Sequence, residues 1–268
     1  MPEPSADVGP LSPEAIEALI ARTRGLAPIK SDNRSQVWRL DALPDSDVPA
    51  LRSAWVLKRV AVPRWKTFAP AWLRLTPGQR QSWGGRLLAE TNLRYAGPAA
   101  VVLRDLHKTE FTLVPWVSGE TLDAWWPGAT ADARSAIAGS LGRLLGTLTA
   151  SGLRNRDYKP TNLLVDAEAK QGALPVMIDL DGVGRGGSER DVVRSAAVLE
   201  RALQRIDRVE PGERDAFVYG CCAAASELFA QHADRPAAFR RAVDDAHDAR
   251  PLSYDPEPTH SSSEHLNP

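Results

Sequence analysis

The feature that most constrains this chain is a polar octet in its second half, Asn155-Arg156-Asp157-Tyr158-Lys159-Pro160-Thr161-Asn162. Before it, Ile137, Leu141, Leu144, Leu145 and Leu148 recur at helical spacing. After it comes the apolar strand candidate of residues 162–166, and seventeen residues beyond Asn162 stands Asp179 in Ile178-Asp179-Leu180-Asp181-Gly182. Charged groups on two such loops need a large core to hold them in register. The composition allows one: 268 residues, 43% hydrophobic and 25% charged, suit one large domain or one domain in two lobes. No apolar run reaches the roughly 18 residues that span a bilayer. The start, Met1-Pro2-Glu3-Pro4, has neither the basic nor the apolar region of a signal peptide. The two cysteines, Cys221 and Cys222, are adjacent, which excludes a disulfide scaffold and favours a reducing, cytoplasmic setting. They lie in an Ala-rich helical stretch as packing residues, and no Cys/His cluster has zinc spacing. A net charge of −1 makes no general case for nucleic acid.

The two halves differ in pattern. The first dozen residues read as a loose arm, followed by a short helix that Ser12 caps and Pro13 opens. Strands are expected over 35–40, 53–60, 99–105 and 109–116, with a helix over 82–95. The second half predicts a helix over 132–150, short strands over 162–166 and 173–181, and helices over 190–206, 212–231 and 235–248. The expected layout is α+β: an arm and helix over 1–29, a small antiparallel-sheet lobe over 30–117, a mainly helical lobe over 118–250, and a disordered tail over 251–268. The link between lobes falls near Val117 to Gly119.

The octet and the Asp179 turn together resemble the protein-kinase-like superfamily, whose catalytic loop reads H-R-D-x-x-x-x-N and whose metal-binding turn reads D-F-G. Here the two read N-R-D-Y-K-P-T-N and D-L-D. The resemblance implies a two-lobed kinase-like fold with ATP and Mg²⁺ between the lobes. Phosphoryl transfer needs an acceptor hydroxyl held in line and cations on the phosphates. Asp157 would orient or accept the hydroxyl proton, Lys159 would reach the transferring phosphate, and Asn162 and Asp179 would offer oxygens to the metal. Of 33 basic residues only six are lysines, so Lys58 and Lys159 stand where compact ammonium charges are retained against an arginine bias. Trp55-Val56-Leu57-Lys58 matches the V-A-I-K strand, making Lys58 the phosphate lysine. Glu90, the one acidic residue between Lys58 and the strand at 99–105, is its expected helix partner. Trp116 or Val117 would donate at the adenine hinge, since Pro115 cannot, and Glu120 and Asp123 would approach ribose.

Some positions depart from the pattern. The expected Gly-rich loop, Ser31-Asp32-Asn33-Arg34-Ser35-Gln36-Val37, has no glycine, leaving Ser35 and backbone amides to meet phosphate. Asn155 replaces the histidine. No A-P-E follows Asp181, and Gly182 to Arg190 is too short for a regulated activation loop. These departures leave a non-catalytic, pseudokinase-like module and a protein Ser/Thr kinase as the alternatives to an active enzyme. Ile-Asp-Leu-Asp-Gly resembles the bacterial lipopolysaccharide kinases, which act on heptose or 3-deoxy-octulosonic acid. The implied reaction is transfer of phosphate to a sugar hydroxyl of a glycolipid. Asp181 either adds a carboxylate near the metals or caps the following turn.

The stretch from Val48 to Ala89 contains no acidic residue, and its basic residues interleave with Trp55, Trp65, Phe68, Trp72 and Trp83. Three readings stand: a platform for an anionic glycolipid or the inner membrane face using Arg59, Arg64, Lys66 and Arg74; a single-stranded nucleic-acid groove, which is disfavoured; or a solvated face over tryptophans packed in the core. The pattern leaves the oligomeric state open.

Overall fold

The computed structural model describes residues 11–68, 73–98, 100–106, 108–165, 175–227 and 234–248. The expected tail, the start of the arm, Trp72 and His107 lie outside the described residues. Helix α1 (Pro13–Arg22) opens as the sequence predicts, with the Ser12 hydroxyl accepting from the Ala15 amide at 3.2 Å. Five strands follow: β1 (Lys30–Ser31), β2 (Ser35–Leu40), β3 (Trp55–Ala61), β4 (Ala100–Arg104) and β5 (Thr109–Pro115). They form one antiparallel sheet in the order β1-β2-β3-β5-β4. The period-2 alternation of β3 and β5 divides their side chains between two faces. One face buries Trp38, Leu40, Trp55, Leu57, Phe111 and Leu113 together with Leu19 of α1. The opposite face carries Lys58, whose neighbour across the ladder is Thr112.

Between β3 and β4 lie α2 (Arg64–Phe68) and α3 (Pro77–Leu88). Helix α3 starts five residues before the expected position and stops seven before the expected end. Its start is set by a capping box, in which Thr76 and Gln79 satisfy each other's backbone amides with Pro77 in the first turn. Its early end frees the chain to run extended, so that Tyr95 bridges Met177 and the Ala96 amide donates to the Met177 carbonyl at 2.8 Å.

The remainder is mainly helical, as the α+β expectation has it. It comprises β6 (Glu120–Thr121), α4 (Leu122–Trp125), α5 (Ala131–Ala150), β7 (Leu153–Asn155), β8 (Leu163–Val165), β9 (Val176–Met177), β10 (Val183–Arg185), α6 (Glu189–Ile206), α7 (Pro211–Ala224) and α8 (Arg235–Asp248). A second core gathers Leu141, Leu144, Leu145 and Leu148 of α5 with Val192, Leu199 and Leu203 of α6 and Cys221 of α7. Helices α5 and α7 meet at backbone distance. A Cβ on Gly142 would stand 2.0 Å from the Phe217 carbonyl oxygen. Both cysteines are free and buried there, and burial pushes the Cys222 thiol up to about 11. Two small sheets, β6-β8-β9 and β10-β7, bracket the polar octet. No helix among the described residues is long and apolar enough to cross a membrane.

Candidate active site

The octet begins where β7 ends. Asn155 is buried, and its Oδ1 accepts the Asp157 amide at 2.9 Å. An amide therefore shapes the loop where the family pattern has an imidazole. Tyr158 is also buried, and its hydroxyl donates to the Leu141 carbonyl at 3.0 Å, pinning the loop to α5. Desolvation holds that phenol well above its ordinary range, so it stays a donor. These anchors leave Asp157 half-exposed with two partners of its own. Lys159 Nζ lies 3.1 Å from Oδ1, and Asn162 Nδ2 donates to Oδ2 at 2.9 Å and to the Asp157 carbonyl at 3.1 Å. The Asn162 carbonyl in turn accepts the Ile178 amide at 2.9 Å, which ties the loop to the Asp179 turn.

Asp179 sits at φ 53°, a left-handed conformation that is uncommon outside glycine. It aims Oδ2 at Lys58 Nζ, 3.4 Å away across the space between sheet and helices. Oδ1 is buried and has no hydrogen-bond partner among the described residues. A buried carboxylate oxygen without a donor is costly, and a hard cation is the natural group to meet it. With the Asn162 amide one loop away, this donor set fits Mg²⁺ shared with phosphate oxygens. Among the described residues no three His, Cys, Asp or Glu side chains cluster as an all-protein metal cage.

Asp181 is engaged by a cation from the neighbouring helix. Its carboxylate forms a two-armed ion pair with Arg80 of α3, with Nη2 2.9 Å from Oδ2 and Nε on Oδ1. The hydrogen bond to Asp181 raises the already high Arg80 pKa further. The same helix presses on the turn through Gly84, where a Cβ would stand 2.4 Å from the Leu180 carbonyl oxygen. Gly182 closes the other side, since a Cβ there would stand 2.5 Å from Asn155 Oδ1 and 2.7 Å from the Asp157 amide. Buried Glu110 of β5 accepts from the Thr76 hydroxyl and, at 2.7 Å, from the Gly78 amide, so the sheet holds the N-terminus of α3.

The structure thus brings Lys58, Asp157, Lys159, Asn162 and Asp179 to one region and leaves other expected residues elsewhere. Glu90 lies in an exposed turn beyond α3, and the carboxylate beside Lys58 is Asp179. Ser35 is already engaged. Its hydroxyl donates to Asp32 Oδ2 at 2.6 Å, and its amide and that of Arg34 donate to Asp32 Oδ1, each at 2.7 Å. These bonds, the Ser35 hydroxyl first, hold the Asp32 carboxyl below its usual range. Of the two expected hinge donors, the Trp116 amide already donates to the Ala54 carbonyl at 2.9 Å, while Arg39 stacks on its indole. Asp123 keeps a buried Oδ1 with no hydrogen-bond partner among the described residues, and Glu120 is exposed. Sequence reasoning missed Arg80 and Glu110. The signal for Arg80 is the carboxylate at position 181, which stands where the family pattern has glycine and calls for a cation.

Neither a family model nor a curated protein sequence matches the chain. Solved structures do. WaaP, a lipopolysaccharide core heptose kinase solved in complex with acyl carrier protein, superposes with a TM-score of 0.54 at 14% identity, over 86% of this chain and 93% of that one. The fold is kinase-like. A kinase-like fold is what the sequence resemblance implied. The bifunctional kinase-methyltransferase WbdD aligns at 17% identity with a TM-score of 0.44, over 81% of this chain and 52% of its own, so this chain spans about half of WbdD.

Proposed function

We propose that this protein is an ATP- and Mg²⁺-dependent phosphotransferase acting on a sugar hydroxyl of a lipopolysaccharide-type, anionic glycolipid at the inner face of a membrane. The observation that carries the reading is the convergence of Lys58, Asp157, Lys159, Asn162 and Asp179, with one Asp179 oxygen buried and unmet. In this reading Lys58 binds the α/β-phosphates and Asp157 orients the acceptor hydroxyl and takes its proton as the new O–P bond forms. The bond from the γ-phosphorus to the bridging oxygen breaks, and ADP leaves. Lys159, now on Asp157, turns to the transferring phosphate. Asn162 and Asp179 would hold Mg²⁺, which would supply positive charge to the phosphates when bound. Val117 meets adenine and Asp123 meets ribose.

One observation favours the non-catalytic alternative. Asp32 occupies the two amides that would otherwise face phosphate, and it adds negative charge there. A protein-kinase reading is weaker, because α6 begins at Glu189, directly after β10. Phosphate transfer from ATP to glycolipid, free sugar and protein acceptors tests all three. Transfer to the glycolipid that Asp157→Ala abolishes supports the enzyme. A purified chain whose melting temperature does not respond to ATP with Mg²⁺ counts for neither kinase reading.

A further inference from the structure

The aromatic residues that the sequence left ambiguous divide cleanly. Trp38 and Trp55 fill the sheet core, and Trp83 packs against the helical core beneath Arg74, whose guanidinium lies 3.6 Å from the ring centroid. Trp65 and Phe68 of α2 instead stand out, each 65% exposed. Arg64 lies 5.7 Å from the Phe68 ring and Lys66 5.5 Å from the Trp65 ring, so each outward ring has a cation beside it.

Three connections converge at this place. The hinge adjoins the end of β3 at Trp55, opposite Pro115, and α2 follows the other end. There the Ala61 amide donates to the Arg34 carbonyl of the β1–β2 turn, and the Val62 amide donates to the Lys108 carbonyl of the β4–β5 turn, both at 2.9 Å. The second turn carries Leu106, 73% exposed, two residues before the Lys108 whose carbonyl holds Val62 ahead of α2. The rim therefore presents Trp65, Phe68 and Leu106 among Arg34, Arg64, Lys66 and Lys108. Its carboxylates are Asp32, engaged by Ser35 and Arg34, and Asp105, which accepts the Thr109 hydroxyl at 2.7 Å.

We propose that this rim, at the end of the sheet away from the hinge, docks the protein on an anionic phospholipid bilayer. Indole and phenyl rings sit at the headgroup level of a bilayer, and lysine and arginine are drawn to its negative surface. Exposed apolar side chains ringed by charge mark an interaction surface rather than a solvated face. Leu106 discriminates between partners: an aliphatic side chain enters lipid but offers no stacking face to a nucleobase. Two of the four cations expected in the platform act elsewhere. Arg74 is stacked on Trp83, and Arg59 donates to Gln36 at 3.2 Å. The proposal deepens the glycolipid reading, yet it stands on surface residues alone and is tested without nucleotide.

The test is co-sedimentation of the full chain with phosphatidylcholine vesicles and with vesicles containing phosphatidylglycerol, at low and high salt, with single-stranded DNA as competitor. Wild type is expected on the anionic vesicles only, and salt should release it. Each charge removed at Arg64 or Lys66 should weaken binding roughly fivefold, and Trp65→Ser with Phe68→Ser should weaken it without changing the salt dependence. Arg64, Trp65 and Phe68 are exposed and Lys66 is half-buried, and unchanged melting temperatures establish that the variants fold. Asp157→Ala should bind like wild type, which separates docking from phosphate transfer. Equal binding to neutral and anionic vesicles, unaltered binding by both variant pairs, or displacement by single-stranded DNA would each overturn the proposal.

Discussion

The two sides of the candidate nucleotide site are built to opposite degrees. On the helical side, Asp157 and Asp179 are held by Asn155, Asn162, Tyr158, Arg80–Asp181 and two glycines that admit no side chain. On the sheet side, the β1–β2 turn contains no glycine and is closed on itself by Asp32. The first region leaves one carboxylate oxygen, Asp179 Oδ1, unmet among the described residues, and the second satisfies itself. The comparison teaches that the helical side is fixed by contacts from several distant elements, whereas the β1–β2 turn is fixed by bonds within itself.

The largest expected effect tests the braced side. Asp157→Ala should lower phosphate transfer by about 10²–10⁴-fold, while the Mg-ATP shift in melting temperature persists; equal loss of both would mean that Asp157 serves nucleotide binding instead. Gly182→Ala comes next. Its methyl would overlap Asn155 Oδ1 and the Asp157 amide, so denaturant titration should register a loss of about 1–3 kcal/mol, with a loss of activity larger than that of stability alone. Arg80→Ala should cost about 2 kcal/mol, between the values for exposed and buried pairs, because it strands the Asp181 carboxylate. It should also weaken Mg-dependent nucleotide binding, whereas Arg80→Lys should retain part of both. Nucleotide binding unaltered in Arg80→Ala would reduce the pair to a structural tie. The smallest effect belongs to the self-closed turn. Asp32→Gly should tighten ATP several-fold by freeing the amides of Arg34 and Ser35, measured by calorimetry; weaker binding would show that the closed turn itself supports the nucleotide.

Much of this was legible in the chain. Helix α1 with its Ser12 cap, strand β2 and the boundaries of α5 and α6 follow from periodicity and capping, which act between near neighbours. Helix α3 starts before the expected position because Pro77 opens it and Thr76 caps it. Asp157, Lys159, Asn162 and Asp179 were legible from the spacing of two loops, and Lys58 from what the kinase resemblance implies for the strand Trp55–Ala61. The partner of Lys58 was not.

By itself the sequence determined the α+β class, the loop chemistry and the absence of acidic residues from Val48 to Ala89. Only the tertiary structure decided that Lys58 faces Asp179 across 121 residues and that Arg80 faces Asp181 across 101. It also decided that Trp55 is core while Trp65 is surface. The physical reason is range. Propensity, capping and spacing are set by residues a few positions apart, but a charge chooses its partner, and an indole its solvent, only when packed elements bring distant segments together.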